Sequence, residues 1–194
     1  MIGPVCPVCG GECGFREIDP YYREVRELWP RRSGLVPVAR FQCRGKGVKF
    51  PTFSLLPYQL VPYFKYTVES MVQVLLMWRE FWKAPRRPGT SYGVAVELDE
   101  AVHGESGVTS WQLTCWALVF QGWLRRAQSE QSRWYDFSSV EFHARPPSIL
   151  DELYGYFEAL SRGPPVFGGA VAACVREHAE RTGRFLFGVP SQGR

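Results

Sequence analysis

The residues with the clearest chemistry are four cysteines in the first quarter of the 194-residue chain. Cys6 and Cys9 enclose Pro7-Val8, and Gly10-Gly11 follows them. Cys13 comes four residues after Cys9, and Cys43 opens a second turn-like segment, Cys43-Arg44-Gly45-Lys46-Gly47. A C-x2-C spacing sets two thiolates along one edge of the tetrahedron that Zn2+ favours. The second segment departs from a complete four-cysteine pattern, because Lys46 stands where the fourth thiolate is expected. An ammonium has no lone pair to donate, so Lys46 offsets thiolate charge without ligating. The expected ligand set is Cys6, Cys9 and Cys43, with Cys13 or water as the fourth member, and the expected ion is a structural Zn2+. The competing reading is the same hairpin without metal, its cysteines packed as small hydrophobes. A filled site of this type stabilises a small fold and leaves no open catalytic position.

Other catalytic patterns are weak. His103-Gly104-Glu105 spells the H-x-E of zinc nucleobase deaminases, in which P-C-x-x-C follows downstream. Here the order is reversed, Val5 precedes Cys6, and the H-x-E falls between two predicted helices. His178 shares a segment with Arg176, Glu177, Glu180 and Arg181 and is expected to face solvent; His143 is expected to be packed or exposed rather than catalytic. Asp99, Asp136 and Asp151 are scattered among segments that do not read as strands. The expectation is a protein without a catalytic centre.

Twenty-three basic against nineteen acidic residues give a formal charge of +4, which permits nucleic-acid binding without demanding it. Arginine occurs in pairs, Arg31-Arg32, Arg86-Arg87 and Arg125-Arg126, and its forked guanidinium suits phosphate. The longest apolar stretch, Val68 to Trp82, is interrupted by Glu69, Gln73, Arg79 and Glu80, so no membrane span is expected. Met1 to Gly14 lacks the charged start and apolar run of a signal peptide. A cytoplasmic setting follows as the default, with cysteines as ligands or core residues rather than disulfides.

The elements that must position these residues form an α+β chain: a small zinc-ribbon-like β hairpin unit packed on a mainly α-helical body with a helix-turn-helix. Residues 1–60 are read as the β unit, 61–145 as the helical region and 146–194 as a C-terminal helical pair and tail. Val36 to Cys43 alternates as a half-buried strand does, and Val48 to Leu55 is its expected partner. Asp19 to Ser33, rich in charge and tyrosine, is read as a long excursion. Thr67 should cap a buried helix with Glu69 in its first turn. Two helices follow, Tyr92 to His103 and Thr109 to Arg126, separated by Gly104 to Val108. Gln128 to Ser139 reads as a loop. Ser148 with Asp151 has the spacing of a capping box, and a last helix near Ala170 to Thr182 ends at Gly183.

The second helix of the pair has the outline of a recognition helix. Thr109 caps it, Val108 packs beneath the turn, and Leu113, Trp116, Ala117 and Phe120 recur at core-facing spacing. Ser110, Gln112 and Thr114 are then directed toward base edges in a major groove, with Gln112 suited to adenine. Arg44, Arg86, Arg87, Arg125 and Arg126 are the expected phosphate contacts.

A C-P-x-C-G-G knuckle, a strand ending R-F-x-C-R-G-x-G, a T-F-S-L-L-P segment, a Y-x-x-Y-T-V-E helix start and G-V-T-x-x-x-L-x-x-W occur here in order. Together they resemble small bacterial zinc-ribbon plus helix-turn-helix proteins, similar to the DNA-binding front ends of insertion-sequence transposases. The resemblance runs through Cys6, Cys9, Gly10, Arg40, Phe41, Cys43, Arg44, Gly45, Phe53, Leu55, Leu56, Pro57, Tyr63, Tyr66, Val68, Glu69, Gly107, Val108, Leu113 and Trp116. It implies a non-catalytic, transposase-associated role on duplex DNA. The alternative is a protein-interaction module, or a mobile-element remnant, that joins a larger assembly without touching DNA. Lys46 and Cys115 depart from the pattern, at the fourth ligand and at a position where such helices usually carry arginine.

Overall fold

A computed structural model describes residues 6, 9, 11, 14–45, 52–57, 59–61, 64–85, 89–145, 147–162 and 168–182. The fold is α+β: among the described residues an antiparallel sheet in the order β1-β2-β3 precedes five helices. Strand β1 spans Phe15–Leu28 and β2 spans Arg31–Cys43, with the turn at Trp29-Pro30, whose peptide bond is cis. Their register runs from Phe15 opposite Cys43 to Leu28 opposite Arg31, with one irregularity between Ile18 and Tyr21. Asp19-Pro20 falls in that gap, and proline has no N–H to give a ladder.

Residues 21–28 and 31–33 are therefore paired strand, joined by the Trp29-Pro30 turn, rather than an excursion. Charge misleads there because an antiparallel ribbon can keep one side in water. Strand β3, Thr52–Leu55, pairs with β2 from Ala39 opposite Leu55 to Gln42 opposite Thr52. The expected partner of β2 is thus realised over Thr52–Leu55, and residues 48–51 lie outside the described residues.

Helix α1, Val68–Lys83, begins as predicted, with the Thr67 hydroxyl accepting from the Ser70 N–H at 3.3 Å. Val68, Met71, Val72, Val74, Leu75, Leu76 and Trp78 are all buried, so neighbours cover more than one face of it. Helix α2, Ser91–Ala101, is capped by Thr90. Helix α3, Ser110–Gln131, is capped by Thr109 and buries Leu113, Trp116, Ala117 and Phe120. It continues about a turn beyond the predicted end at Arg126, so 128–131 is helix rather than loop.

Helix α4, Ile149–Ser161, lacks the predicted capping box. Ser148 has helical torsions (φ −59°, ψ −23°), and its side chain makes no cap bond. Asp151 instead turns to α1, where Arg79 Nε and Lys83 Nζ each lie 2.7 Å from its Oδ1. Helix α5, Gly168–Thr182, buries Val171, Cys174, Val175 and His178. His178 closes that i, i+3, i+4, i+7 stripe beside Gln131 and Trp134, which corrects the expectation that it faces solvent. Gly183 and the tail lie outside the described residues.

The turn end of the hairpin is anchored to the helices. The Arg26 N–H donates to the Lys65 carbonyl at 2.7 Å, and the Thr67 N–H donates back to the Arg26 carbonyl at 3.1 Å. The Leu28 N–H reaches Ser70 Oγ at 3.0 Å, and the Leu28 side chain joins the core of the helical body. Arg23 donates to the carbonyls of Val61 and Phe64. Arg26 and Tyr66 also crowd Gly107 (φ +69°), where an added Cβ would come within 2.8 Å of Arg26 Nη1. The opposite end of the hairpin carries Phe15 and Cys43.

Candidate metal centre

Cys43 is the last residue of β2, and its pairing with Phe15 fixes its height at the end of the sheet. The Arg44 N–H extends the pairing by donating to the Gly14 carbonyl at 3.2 Å. The first knuckle is closed by the Cys6 N–H, which donates to the Gly11 carbonyl at 2.9 Å. These two local bonds bring Cys6, Cys9 and Cys43 together, with their Sγ atoms all within 4.8 Å of one another. Cys6 and Cys43 are buried and Cys9 is exposed.

This donor set can hold a metal ion. Tetrahedral Zn–S bonds of ~2.3 Å imply sulfurs about 3.8 Å apart, so small side-chain rotations would close the group on one ion. None of the described cysteines is in a disulfide. The Gly45 N–H donates to Cys43 Sγ at 3.2 Å, a bond that orients a thiolate and offsets its charge. A Cβ on residue 45 would lie 3.2 Å from both Cys43 Sγ and Cys9 Sγ. The backbone passes so close to two sulfurs that a side chain here would have to push them by a few tenths of an ångström. Three thiolates without a carboxylate favour a soft or borderline ion over Mg2+ or Ca2+. Cys13, the expected fourth ligand, and Lys46 lie outside the described residues.

The sheet supports this end with three rings. Phe15, Phe41 and Phe53 come from the three strands; Phe41 stacks on Phe53 at 5.5 Å, and Phe15 meets Phe53 edge-on at 5.5 Å. Side chains alternate along a strand, so Phe41 shares its face of β2 with Cys43. Arg40 and Gln42 point to the other face, where Arg16 Nη2 donates to Gln42 Oε1 at 2.8 Å.

The residues expected to meet DNA are dispersed. Arg44 is exposed just beyond the cysteine cluster. Arg86 and Arg87 lie outside the described residues. Gln112 is engaged in the α3 capping box, with its Oε1 accepting from the Thr109 N–H at 2.9 Å. Thr114 donates its hydroxyl to the Ser110 carbonyl at 3.1 Å, and Ser110 itself is half-buried. Arg126 is exposed and lies beside Gly122.

Arg125 is paired within the protein, with its side chain partly exposed. Its Nε and Nη2 donate to the two carboxylate oxygens of Glu152 at 2.5 and 2.6 Å, and Nη2 also reaches the His143 carbonyl at 2.9 Å. Glu152 is fully buried and accepts further bonds from Gln121 Nε2 at 2.7 Å and the His143 N–H at 2.8 Å. Burial pushes the Glu152 carboxyl upward, but bonds from Arg125, the His143 N–H and Gln121 outweigh it and hold the carboxyl below the ordinary glutamate range. The network ties α3, α4 and the 140–143 segment together. Sequence reasoning missed it, although Glu152 sits in the apolar stripe of Ile149, Leu153 and Tyr156.

The deaminase-like H-x-E is not brought to the cysteines. His103 and Glu105 are exposed in the α2–α3 turn. Arg31, at the near end of β2, reaches Gly104 in that turn, whereas Cys43 ends the same strand. A strand of this length, at ~3.3 Å per residue, separates them by roughly 40 Å.

Charge is partitioned unevenly. Residues 1–60 contain nine Lys or Arg and five Asp or Glu, whereas residues 61–194 contain fourteen of each. The whole net charge of +4 therefore belongs to the segment that carries the sheet and the cysteines. Comparison of the chain with family models, with curated proteins and with solved structures gave no match.

Proposed function

We propose that this chain is a non-catalytic DNA-binding protein, stabilised by Zn2+ at Cys6, Cys9 and Cys43, that meets the duplex through its β sheet. The observation that carries this reading is the confinement of the net positive charge to the segment built around the cysteine cluster. A two-stranded antiparallel ribbon fits a B-DNA major groove as an α-helix does. Arg16 and Arg32 are exposed on the sheet, Arg44 is exposed just beyond its end and Arg40 is half-buried, which supplies cations for phosphates. Zn2+ at the end of the sheet would hold the first knuckle against β2, so that Arg44 and its neighbours keep a fixed spacing.

The role expected of α3 is correspondingly reduced. Its Gln112 and Thr114 side chains serve their own helix, and Arg125 serves Glu152. The resemblance to the DNA-binding front ends of transposases supports duplex DNA as the polyanion and a mobile-element setting for it.

Fluorescence anisotropy with a mixed-sequence duplex, read as log K against log salt, tests the proposal alongside metal analysis. Removing one cation from a phosphate should flatten the slope by ~0.9, so Arg16→Ser, Arg40→Ser and Arg44→Ser combined should flatten it by up to about 2.7. Wild-type protein should hold one zinc per chain and Cys43→Ser none, with weaker DNA binding in the variant. Absence of binding at low salt, or a slope unchanged in the triple variant, would overturn the sheet as the DNA surface.

A further inference from the structure

The two faces of the sheet differ in kind at its three-stranded end. Register places Phe15, Phe41, Phe53 and Cys43 on one face, and Arg16, Arg40, Gln42, Thr52 and Ser54 on the other. Glu17 lies opposite Phe41 and so belongs to the ring face. None of the ion pairs among the described residues involves Arg16 or Arg40. Gln42 is central on the polar face, opposite Arg16 on β1 and Thr52 on β3. It is half-buried, whereas Arg16, Thr52 and Ser54 are exposed. Arg16 Nη2 lies 2.8 Å from the Gln42 side-chain oxygen. A guanidinium only donates, so the amide atom facing it is Oε1 rather than Nε2. That bond fixes the amide with a second lone pair on Oε1 beside the two hydrogens of Nε2.

We propose that Gln42 is a base-reading residue that selects adenine in the major groove, with Arg16 as the positioning residue that holds its amide. The inference rests on the reading of the sheet as the DNA surface. Adenine presents an N6 amino donor next to the N7 acceptor in that groove. The N6–H donates to the second lone pair of Oε1, and Nε2–H donates to N7. Guanine and thymine set an oxygen acceptor against Oε1, and cytosine gives one bond instead of two. The dimensions agree. Three strands at ~4.8 Å span about 10 Å between the outer backbones, within a groove ~12 Å wide. Arg40 lies two residues along β2 from Gln42, about 7 Å away on the same face, and Arg16 keeps Nε and Nη1 for a phosphate. Gln112 on α3 is placed differently. Its Oε1 accepts from both the Thr109 N–H and the Thr109 hydroxyl, which uses the lone pairs that adenine would need.

Selection from a random-sequence duplex library by the zinc-loaded full-length chain, followed by anisotropy on the selected duplex and on a mixed-sequence duplex, tests it. Wild type should enrich a site with a fixed adenine. Gln42→Ala should leave that position unconstrained and bind the selected duplex roughly 5–150-fold more weakly, the worth of one bidentate base contact. Its affinity for the mixed duplex, its salt slope, circular dichroism and zinc content should match wild type. Arg16→Ala should relax the same position, and Arg16→Lys, which still donates to Oε1 and keeps the charge, should restore the preference. An adenine that Gln42→Ala still enriches, or a Gln42-dependent position that is not adenine, would overturn the inference. A wild type that binds duplexes with a steep salt slope but enriches no sequence would also overturn it, and would leave the sheet standing as the DNA surface. No duplex retained at low salt would overturn both.

Discussion

Replacing Arg125 by alanine should destabilise the fold strongly and leave the DNA affinity of the folded protein unchanged. Glu152 is 0% exposed and accepts four N–H bonds, two of them from Arg125. Removing one partner of a buried ion pair costs about 3–5 kcal/mol, because the remaining charge is stranded. Two features reduce that here. The Arg125 side chain is 38% exposed, and the Gln121 and His143 donors stay in place to hold the carboxylate. The expected loss is therefore about 2–4 kcal/mol. In a chain of this size ~1 kcal/mol shifts Tm by roughly 2–4 °C, so the midpoint should fall by about 5–15 °C. Urea unfolding followed by tryptophan fluorescence gives the free energy, and duplex anisotropy below the transition gives the affinity. Arg125→Met with Glu152→Leu should recover only part of the stability, since apolar packing replaces the pair but leaves the His143 N–H and one Gln121 N–H without their acceptor. A loss below ~0.5 kcal/mol together with a several-fold weaker duplex affinity would refute the reasoning and make Arg125 a phosphate contact.

Two further predictions follow from the same geometry. Gly45→Ala would set a Cβ 3.2 Å from the sulfurs of Cys9 and Cys43, so zinc should bind at least ten-fold more weakly in a chelator competition while the helical circular dichroism is retained. The Glu152 carboxyl is held below its ordinary value of 4.5 in the folded protein. Its stabilisation is thus complete above that pH and is lost as pH falls through the lower folded value. Metal-stripped wild type should lose stability below about pH 4.5 more steeply than the Arg125→Met/Glu152→Leu variant, and parallel urea-midpoint curves for the two would refute the assignment.

What the sequence made legible divides by range. Thr67 and Thr109 act within four residues of their own backbone, and the buried set of α3 repeats at helical spacing, so these features were readable without tertiary information. The C-x2-C knuckle and Cys43 were readable because a metal site demands residue types rather than a fold, and the structure brings those three sulfurs together. Charge density hid β1, since Arg23, Glu24, Arg26 and Glu27 suggest solvent while their strand only needs one solvated side. The ion pair of Arg125 was not legible, because its partner Glu152 lies on another helix, 27 residues on. Ser148 failed as a cap for a related reason. The local pattern competed with Arg79 and Lys83, which lie on α1 and draw Asp151 into ion pairs. His178 was within reach of sequence reasoning, because its spacing from Val171, Cys174 and Val175 marks the buried stripe better than its charged neighbours mark an exposed one.

The α2–α3 pair shows why an outline of a motif is weaker than its solvent face. A capped helix after a glycine turn, with Leu113, Trp116 and Phe120 inward, is what any two-helix hairpin requires to pack. Those features are silent about the partner. Discrimination lies in the residues that packing leaves unconstrained, and on α3 these include Trp111 and Leu118 within an uncharged stretch. A surface that must displace counterions from DNA needs cations, whereas one that excludes water from a protein contact is weakened by them. By that criterion the arginines of β1 and β2 suit DNA and the uncharged stretch of α3 does not. Assigning duplex DNA to α3 would require phosphates to be met without a single lysine or arginine between Ser106 and Leu124.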